Sequence, residues 1–208
     1  MTDAWARLDV AALAVAFARA QPFGHVVVDE FLPDAELAAL AQAIAQEPHW
    51  QNRREIHDFM ASADDLDQPL LREFHAGFAT PAALAAVAAL TGQSVGRVEM
   101  RSYVYLPGSY LLPHTDWSPT AGRRVAYAFY VWTQGCEGGG LDLFAAGLEQ
   151  GRVVSQRPVV CIEPRPNRLV LFEVSPATVH QVRKVVAGAR VSLSGWFYGP
   201  ATATATTA

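Results

Sequence analysis

The spacing of apolar residues changes at Gly92, and that change limits the possible folds more than any other feature. Before it the period is helical. After it come eight apolar or alternating runs: Val95–Leu106, Tyr110–Trp117, Arg124–Thr133, Leu141–Ala145, Val153–Ile162, Arg168–Val174, Val179–Val186 and Arg190–Tyr198. Turn residues separate them, among them Pro107-Gly108, Gly138-Gly139-Gly140, Pro164 to Asn167 and Gly188. Short strands at regular spacing after a helical half predict an α+β chain, with N-terminal helices packed on an antiparallel sandwich or barrel. About eight antiparallel strands suit the jelly roll.

In the first half the spacing predicts a helix over Asp3–Ala20 capped by Thr2 or Asp3, then a short strand in Gly24–Phe31. Pro33-Asp34 opens a helix through about Gln46, with Leu37, Leu40 and Ile44 on one face. A strand is expected at Arg54–Met60, an acidic turn at Asp64, Asp65 and Asp67, and helices at Pro69–Phe78 and Pro81–Leu90.

A chain of 208 residues, 51% hydrophobic, can bury one sizeable core. The expectation is a single domain over 1–200, with helical support in 1–92 and the β core in 93–200. The low-complexity tail, 201–208, is expected to be mobile. A net charge of −4 with scattered basic residues argues against a nucleic-acid footprint. The apolar run Val10–Ala20 lacks a positive flank and is too short for a bilayer, so it reads as a packed helix and no membrane role is expected. Cys136 and Cys161 form no spaced framework and read as reduced thiols of a cytoplasmic protein. Alanine-rich usage with Lys184 as the single lysine hints at a GC-rich bacterial genome.

Chemistry concentrates in the run from Tyr105 to Asp116. In an extended strand, residues two apart face the same way, so His114 and Asp116 converge if Tyr110–Trp117 is extended. With His180 from a later strand they would present two imidazoles and one carboxylate to one face of a metal, the triad of non-haem Fe(II) oxygenases. Taken alone, an H-x-D pair is as readily a surface pair, and His180 a half-buried structural histidine. His25, His49, His57 and His75 lie in the helical half and read as structural or exposed. If Val179–Val186 and Arg190–Tyr198 form a hairpin, a three-residue loop at Ala187-Gly188-Ala189 or a bulge puts Arg190 on the His180 face. Ser192 and Trp196 would follow it inward. A recessed guanidinium suits bidentate capture of a carboxylate.

The Y-x-P-G run before His114-Thr115-Asp116, the segment GGGLDLF, the segment NRLVLFEVSPATVHQV and the closing RVSLSGWFYG together resemble a known family. They are similar to the catalytic core of Fe(II)- and 2-oxoglutarate-dependent dioxygenases of the prolyl-4-hydroxylase type, most of all to the Tpa1/Ofd1-like prolyl hydroxylases. GHVVVDEFLPDAELAALAQAI and REIHDFMASADDL extend the likeness into the helical half. The resemblance implies a double-stranded β-helix and iron held by His114, Asp116 and His180. It places the distal carboxylate of 2-oxoglutarate on Arg190, with Ser192 and the Tyr130 hydroxyl, and puts Tyr105 in the wall of that pocket. For both tyrosines, core packing is the plainer alternative.

The implied cofactors are Fe(II), 2-oxoglutarate and O2, with ascorbate as a reductant. The implied reaction is hydroxylation with release of succinate and CO2, on an amino-acid side chain in a peptide or protein, proline foremost. A free amino acid or small metabolite is the second reading, and a non-catalytic sensor the third. The segment Trp117–Gly122 is this chain's own, and an asparagine common in relatives is replaced near Val131-Trp132. Tyr103, Arg101, Trp117, Arg123 and Trp132 are the candidates to line the substrate mouth.

Overall fold

The computed structural model describes residues 4–200. A single-turn helix, Trp5–Arg7, precedes α1 (Val10–Arg19), β1 (His25–Val28) and α2 (Asp34–Gln46). Next come β2 (Trp50–Arg54), β3 (His57–Ala61), α3 (Pro69–Phe78) and α4 (Pro81–Thr91). The second half holds β4 (Arg97–Tyr105), β5 (Tyr110–His114), β6 (Arg123–Trp132), β7 (Glu137–Gly138) and β8 (Leu141–Glu149). It ends with β9 (Arg152–Ile162), β10 (Arg168–Glu173), β11 (His180–Val182), β12 (Val185–Ala187) and β13 (Arg190–Tyr198). Among the described residues no single helix is long and apolar enough to cross a membrane.

Four boundaries differ from expectation. The first helix breaks at Leu8, which is extended, and Asp9 restarts it by accepting a hydrogen bond from the Ala12 N–H. The expected caps at Thr2 and Asp3 lie outside the described residues. The strand expected at Arg54–Met60 is instead the hairpin β2–β3, with Arg54 opposite His57. β5 ends at His114, so Asp116 sits just past the strand rather than within it. The run Val179–Val186 splits at Arg183-Lys184 into β11 and β12.

The main sheet is antiparallel and runs β1-β10-β6-β13-β4-β3-β5-β11-β8-β9, with β2 paired to β3. One half is β1-β10-β6-β13-β4 and the other is β5-β11-β8-β9. β3 bridges them, with Met60 and Ala61 on β4 and His57 and Asp58 on β5. This curled sheet is the double-stranded β-helix, as expected. The conditional hairpin between the His180 strand and the Arg190 strand is not the pairing found. β11 pairs β5 and β8, β12 pairs β7, and β13 pairs β4 and β6. In a jelly roll, consecutive strands enter opposite halves, so chain neighbours need not be ladder neighbours.

Parity on β13 then sorts the two faces of the sheet. Val191, Leu193 and Phe197 join Leu40, Ile44, Leu71, Phe74, Phe78, Val87 and Leu90 in the core under the helices. Phe78 is its hub, with ring contacts to Trp5, Phe31, Phe74, Tyr127 and Phe197. Truncating such a buried ring costs about 3–5 kcal/mol, enough to loosen helices and sheet together. The other face of β13 presents Arg190, Ser192, Ser194 and Trp196 to a cavity between the two halves.

Candidate metal centre and anion pocket

The centre begins with one register. His180, first residue of β11, pairs directly with His114, last residue of β5, and their ring centroids lie 4.3 Å apart. Each ring is oriented by its own backbone. His114 Nδ1 lies 2.9 Å from the Leu112 carbonyl, and His180 Nδ1 lies 3.2 Å from the Thr178 carbonyl. A carbonyl only accepts, so the proton sits on Nδ1 and the lone pair on Nε2. Both Nε2 atoms point at Asp116, at 3.5 Å from Oδ1 for His114 and 3.4 Å from Oδ2 for His180. The three donor atoms fall within 4.8 Å of one another, a group able to hold a metal ion.

Burial alone would push the Asp116 carboxyl up, but His180 and His114 outweigh it and hold the group well below the usual carboxylate range. Burial pushes His180 down to about 4 against the pull of Asp116, so its imidazole is neutral at neutral pH. For His114 the balance reverses: burial lowers it, and the hydrogen bond and charge of Asp116 raise it above the ordinary value. One anionic and two imidazole donors with oriented lone pairs fit a first-row divalent metal, Fe(II) among them.

Arg190 lies deeper in the same cavity and is 3% exposed. It stands opposite Tyr105 on β4, and its guanidinium carbon lies 4.7 Å from the Tyr105 ring centre and 4.8 Å from that of Tyr130. Its Nη2 reaches the Tyr130 hydroxyl at 3.4 Å, while Nε is buried with no partner. No carboxylate pairs with it among the described residues. Ser192, fully buried, follows on the same face and accepts from the Ser194 hydroxyl at 3.0 Å. Gly139, at φ +68°, abuts the Arg190 side chain. A Cβ there would come within 3.3 Å of Arg190 Cδ, so the glycine-rich turn lets the backbone press on the arginine stem. The cavity is about 330 Å³, and His114, Asp116, His180, Arg190, Ser192 and Tyr105 all line it. Tyr130 touches it only through Arg190.

Residues 100–198 match the family described as the 2OG-Fe(II) oxygenase superfamily. The chain carries a domain of that superfamily. It is 39% identical over 116 residues to the prolyl 3,4-dihydroxylase OGFOD1 of Ostreococcus tauri, covering 52% of this chain and 22% of the relative. It is 40% identical over 97 residues to the prolyl 3-hydroxylase OGFOD1 of Mus musculus, covering 43% and 16%. The matched stretch is thus about a fifth of these relatives' length. In fold it resembles the crystal structure of a Pseudomonas putida prolyl-4-hydroxylase, with TM-score 0.69, 24% identity, and 92% and 99% of the two chains covered. It also resembles a Trichoplax adhaerens prolyl hydroxylase, solved with a peptide of the hypoxia inducible factor, with TM-score 0.67, 17% identity, and 91% and 89% covered.

At the mouth of this cavity the expected lining holds only in part. Tyr103 and Arg123 line it. Arg123 lies over the Trp196 ring at 3.7 Å and donates weakly to the Asp116 carbonyl at 3.3 Å. Arg101 turns away to the Ser62 carbonyl at 2.6 Å, and Trp117 and Trp132 are exposed outside the lining. Sequence reasoning missed Ile56, His57 and Phe59, which the β2–β3 hairpin folds over the opening. The only signal for them was the alternation His57, Phe59, Ala61 on one face of a short strand. The other three histidines are structural: His25 contacts the Phe23 carbonyl, His49 the Ser102 hydroxyl and His75 the Val98 carbonyl.

Proposed function

We propose that His114, Asp116 and His180 hold Fe(II), and that Arg190, with Ser192, holds the distal carboxylate of 2-oxoglutarate, the Tyr130 hydroxyl acting by positioning the guanidinium. On this reading the chain hydroxylates a side chain, proline foremost, within a peptide or protein. The observation that carries it is a guanidinium buried without an acid in the same cavity as three convergent metal donors. An uncompensated buried charge costs several kcal/mol, so its retention points to an anion that arrives as ligand. The flanking tyrosine rings hold the guanidinium plane by cation–π contact and leave its edge for a bidentate acceptor.

Bound together, iron and 2-oxoglutarate supply the oxygen activation that delivers a hydroxyl to substrate and releases succinate and CO2. The chain's own part is geometric and electrostatic. The Leu112 and Thr178 carbonyls fix both imidazoles with Nε2 inward, and Asp116 stays ionised throughout the working pH range. The apolar walls exclude water, and Tyr105 closes the side of the anion pocket.

A peptidyl substrate is favoured over a free amino acid. Asp116 is the only carboxylate in the described lining, so an α-ammonium group would find no free counter-charge. The names of the curated relatives, and the peptide bound to the Trichoplax protein, support the same choice. Free thiols at Cys136 and Cys161 suit a reducing cytoplasm, and ascorbate is the proposed reductant. Residues 1–200 are read as one catalytic unit.

The test is an anaerobic absorbance titration with Fe(II) and 2-oxoglutarate. A new band requiring both is expected. Its absence, with no metal retained, would overturn the assignment. Mass spectrometry of proline-containing peptides for the gain of one oxygen atom then identifies the substrate.

A further inference from the structure

The cavity contains a polar group that neither the metal nor the anion pocket uses. On β4, Tyr103 lies two residues before Tyr105 and shares its face, roughly 7 Å further along the strand and away from Arg190. Its ring stands edge-on to Phe59 at 5.4 Å and 72°, and His57 stacks on Phe59 at 4.8 Å. The result is an aromatic wall built across the β3–β4 seam, leading from the anion pocket to the opening. Among the described residues the Tyr103 hydroxyl has no hydrogen-bond partner, although burial pushes it up to about 12 and keeps it protonated. It is therefore a neutral donor with nothing to donate to. Several other polar groups of the lining are engaged: His57 Nε2 with the Asn52 amide oxygen at 2.9 Å, Ser194 with Ser192, and Arg123 against Trp196 and on the Asp116 carbonyl, although its Nε is buried without a partner.

We infer that Tyr103 is a substrate-positioning residue whose hydroxyl donates to a backbone carbonyl of the polypeptide, with the substrate laid along the Phe59 ring. A peptide suits this wall because its carbonyls only accept and its proline rings pack on aromatic faces. The inference rests on the oxygenase reading above and adds the contact that would hold a polypeptide rather than a small anion.

The experiment compares the wild-type protein and Tyr103→Phe, each with Fe(II). Slow 2-oxoglutarate consumption without peptide comes first. If the wild-type protein lacks it, the oxygenase reading itself fails. Next, a panel of end-blocked peptides with proline flanked by varied residues is assayed for stimulated succinate release and for binding. Loss of one neutral hydrogen bond predicts a KM for the best peptide raised about three- to tenfold in Tyr103→Phe. Its kcat, its KM for 2-oxoglutarate and its melting temperature should stay at wild-type values. In a thioamide scan of that peptide, one position, a weaker acceptor, should lower wild-type affinity and leave Tyr103→Phe unaffected. Three results would each overturn the inference: wild-type protein that binds no peptide of the panel, an unchanged peptide KM, or a rise in the 2-oxoglutarate KM instead.

Discussion

Two buried arginines in this molecule answer opposite demands. Arg168, at the start of β10, is 9% exposed and fully partnered. Its Nε and Nη2 meet the Asp29 carboxylate at 2.6 and 2.9 Å, and Nη1 donates to the Glu163 carbonyl at 2.9 Å. Arg190 is more deeply buried, yet it has two tyrosine rings, one long hydrogen bond and an orphaned Nε. An arginine that serves the fold brings its acid with it, because desolvating a lone cation is costly. One that serves a ligand must leave that place open. On the proposed function, the contrast separates a structural cation from a binding cation by partners rather than by depth.

The largest effects belong to the proposed metal donors beside Arg190. His114→Ala or Asp116→Ala should abolish both iron retention and 2-oxoglutarate turnover, as read by elemental analysis and succinate release. Undiminished succinate from either variant would remove the metal assignment. Next, Arg190→Ala should raise the 2-oxoglutarate requirement at least about thirtyfold, since a buried charge pair is worth 2–5 kcal/mol on binding. Iron retention should persist, and the ligand-free protein should lose less stability than Arg168→Ala does, because the lost cation had no acid to strand. In the wild-type protein 2-oxoglutarate should raise the melting temperature, and in Arg190→Ala it should not. An unchanged requirement would point to another anchor and undo the comparison.

Much of this was legible from spacing. Proline marks placed α3 and α4, and period-two alternation put Arg190, Ser192 and Trp196 on one face whatever strand lies beside them. What failed was non-local. Adjacency makes a His180–Arg190 hairpin one possibility, but β11 finds its partners about 40 and 70 residues upstream, and local sequence does not encode that choice. β2 escaped notice because Trp50–Arg54 is almost wholly exposed and polar, so it carries no apolar alternation. With β2 unseen, the bridging role of β3 was hidden, and with it the place of His57 and Phe59 at the cavity. Asp116 lies outside its expected strand yet still converges on the histidines, because the chain runs on past His114 without turning away before it.

The smallest effect tests the other side of the comparison. Arg168→Ala should lower stability by about 1–2 kcal/mol, by stripping Asp29 and the Glu163 carbonyl of a donor, and should leave the 2-oxoglutarate requirement alone. Part of that cost depends on pH. The Arg168 hydrogen bond, joined by its charge, holds the Asp29 carboxyl below its ordinary value against a weaker effect of burial. A carboxyl depressed in the folded state stabilises fully above its unfolded pKa of about 4 and loses that contribution as pH falls through the folded value. The gap in urea midpoint between wild-type protein and Arg168→Ala should therefore be widest near neutrality and narrow as pH drops below about 4. Because the Asp29 side chain is 53% exposed, solvent screening keeps this pH-dependent part below about 1 kcal/mol. Arg190→Ala, with no acid to titrate against it, should show no such narrowing. A gap that widens in acid, or one of equal size for both variants, would mean that partnering does not distinguish the two arginines.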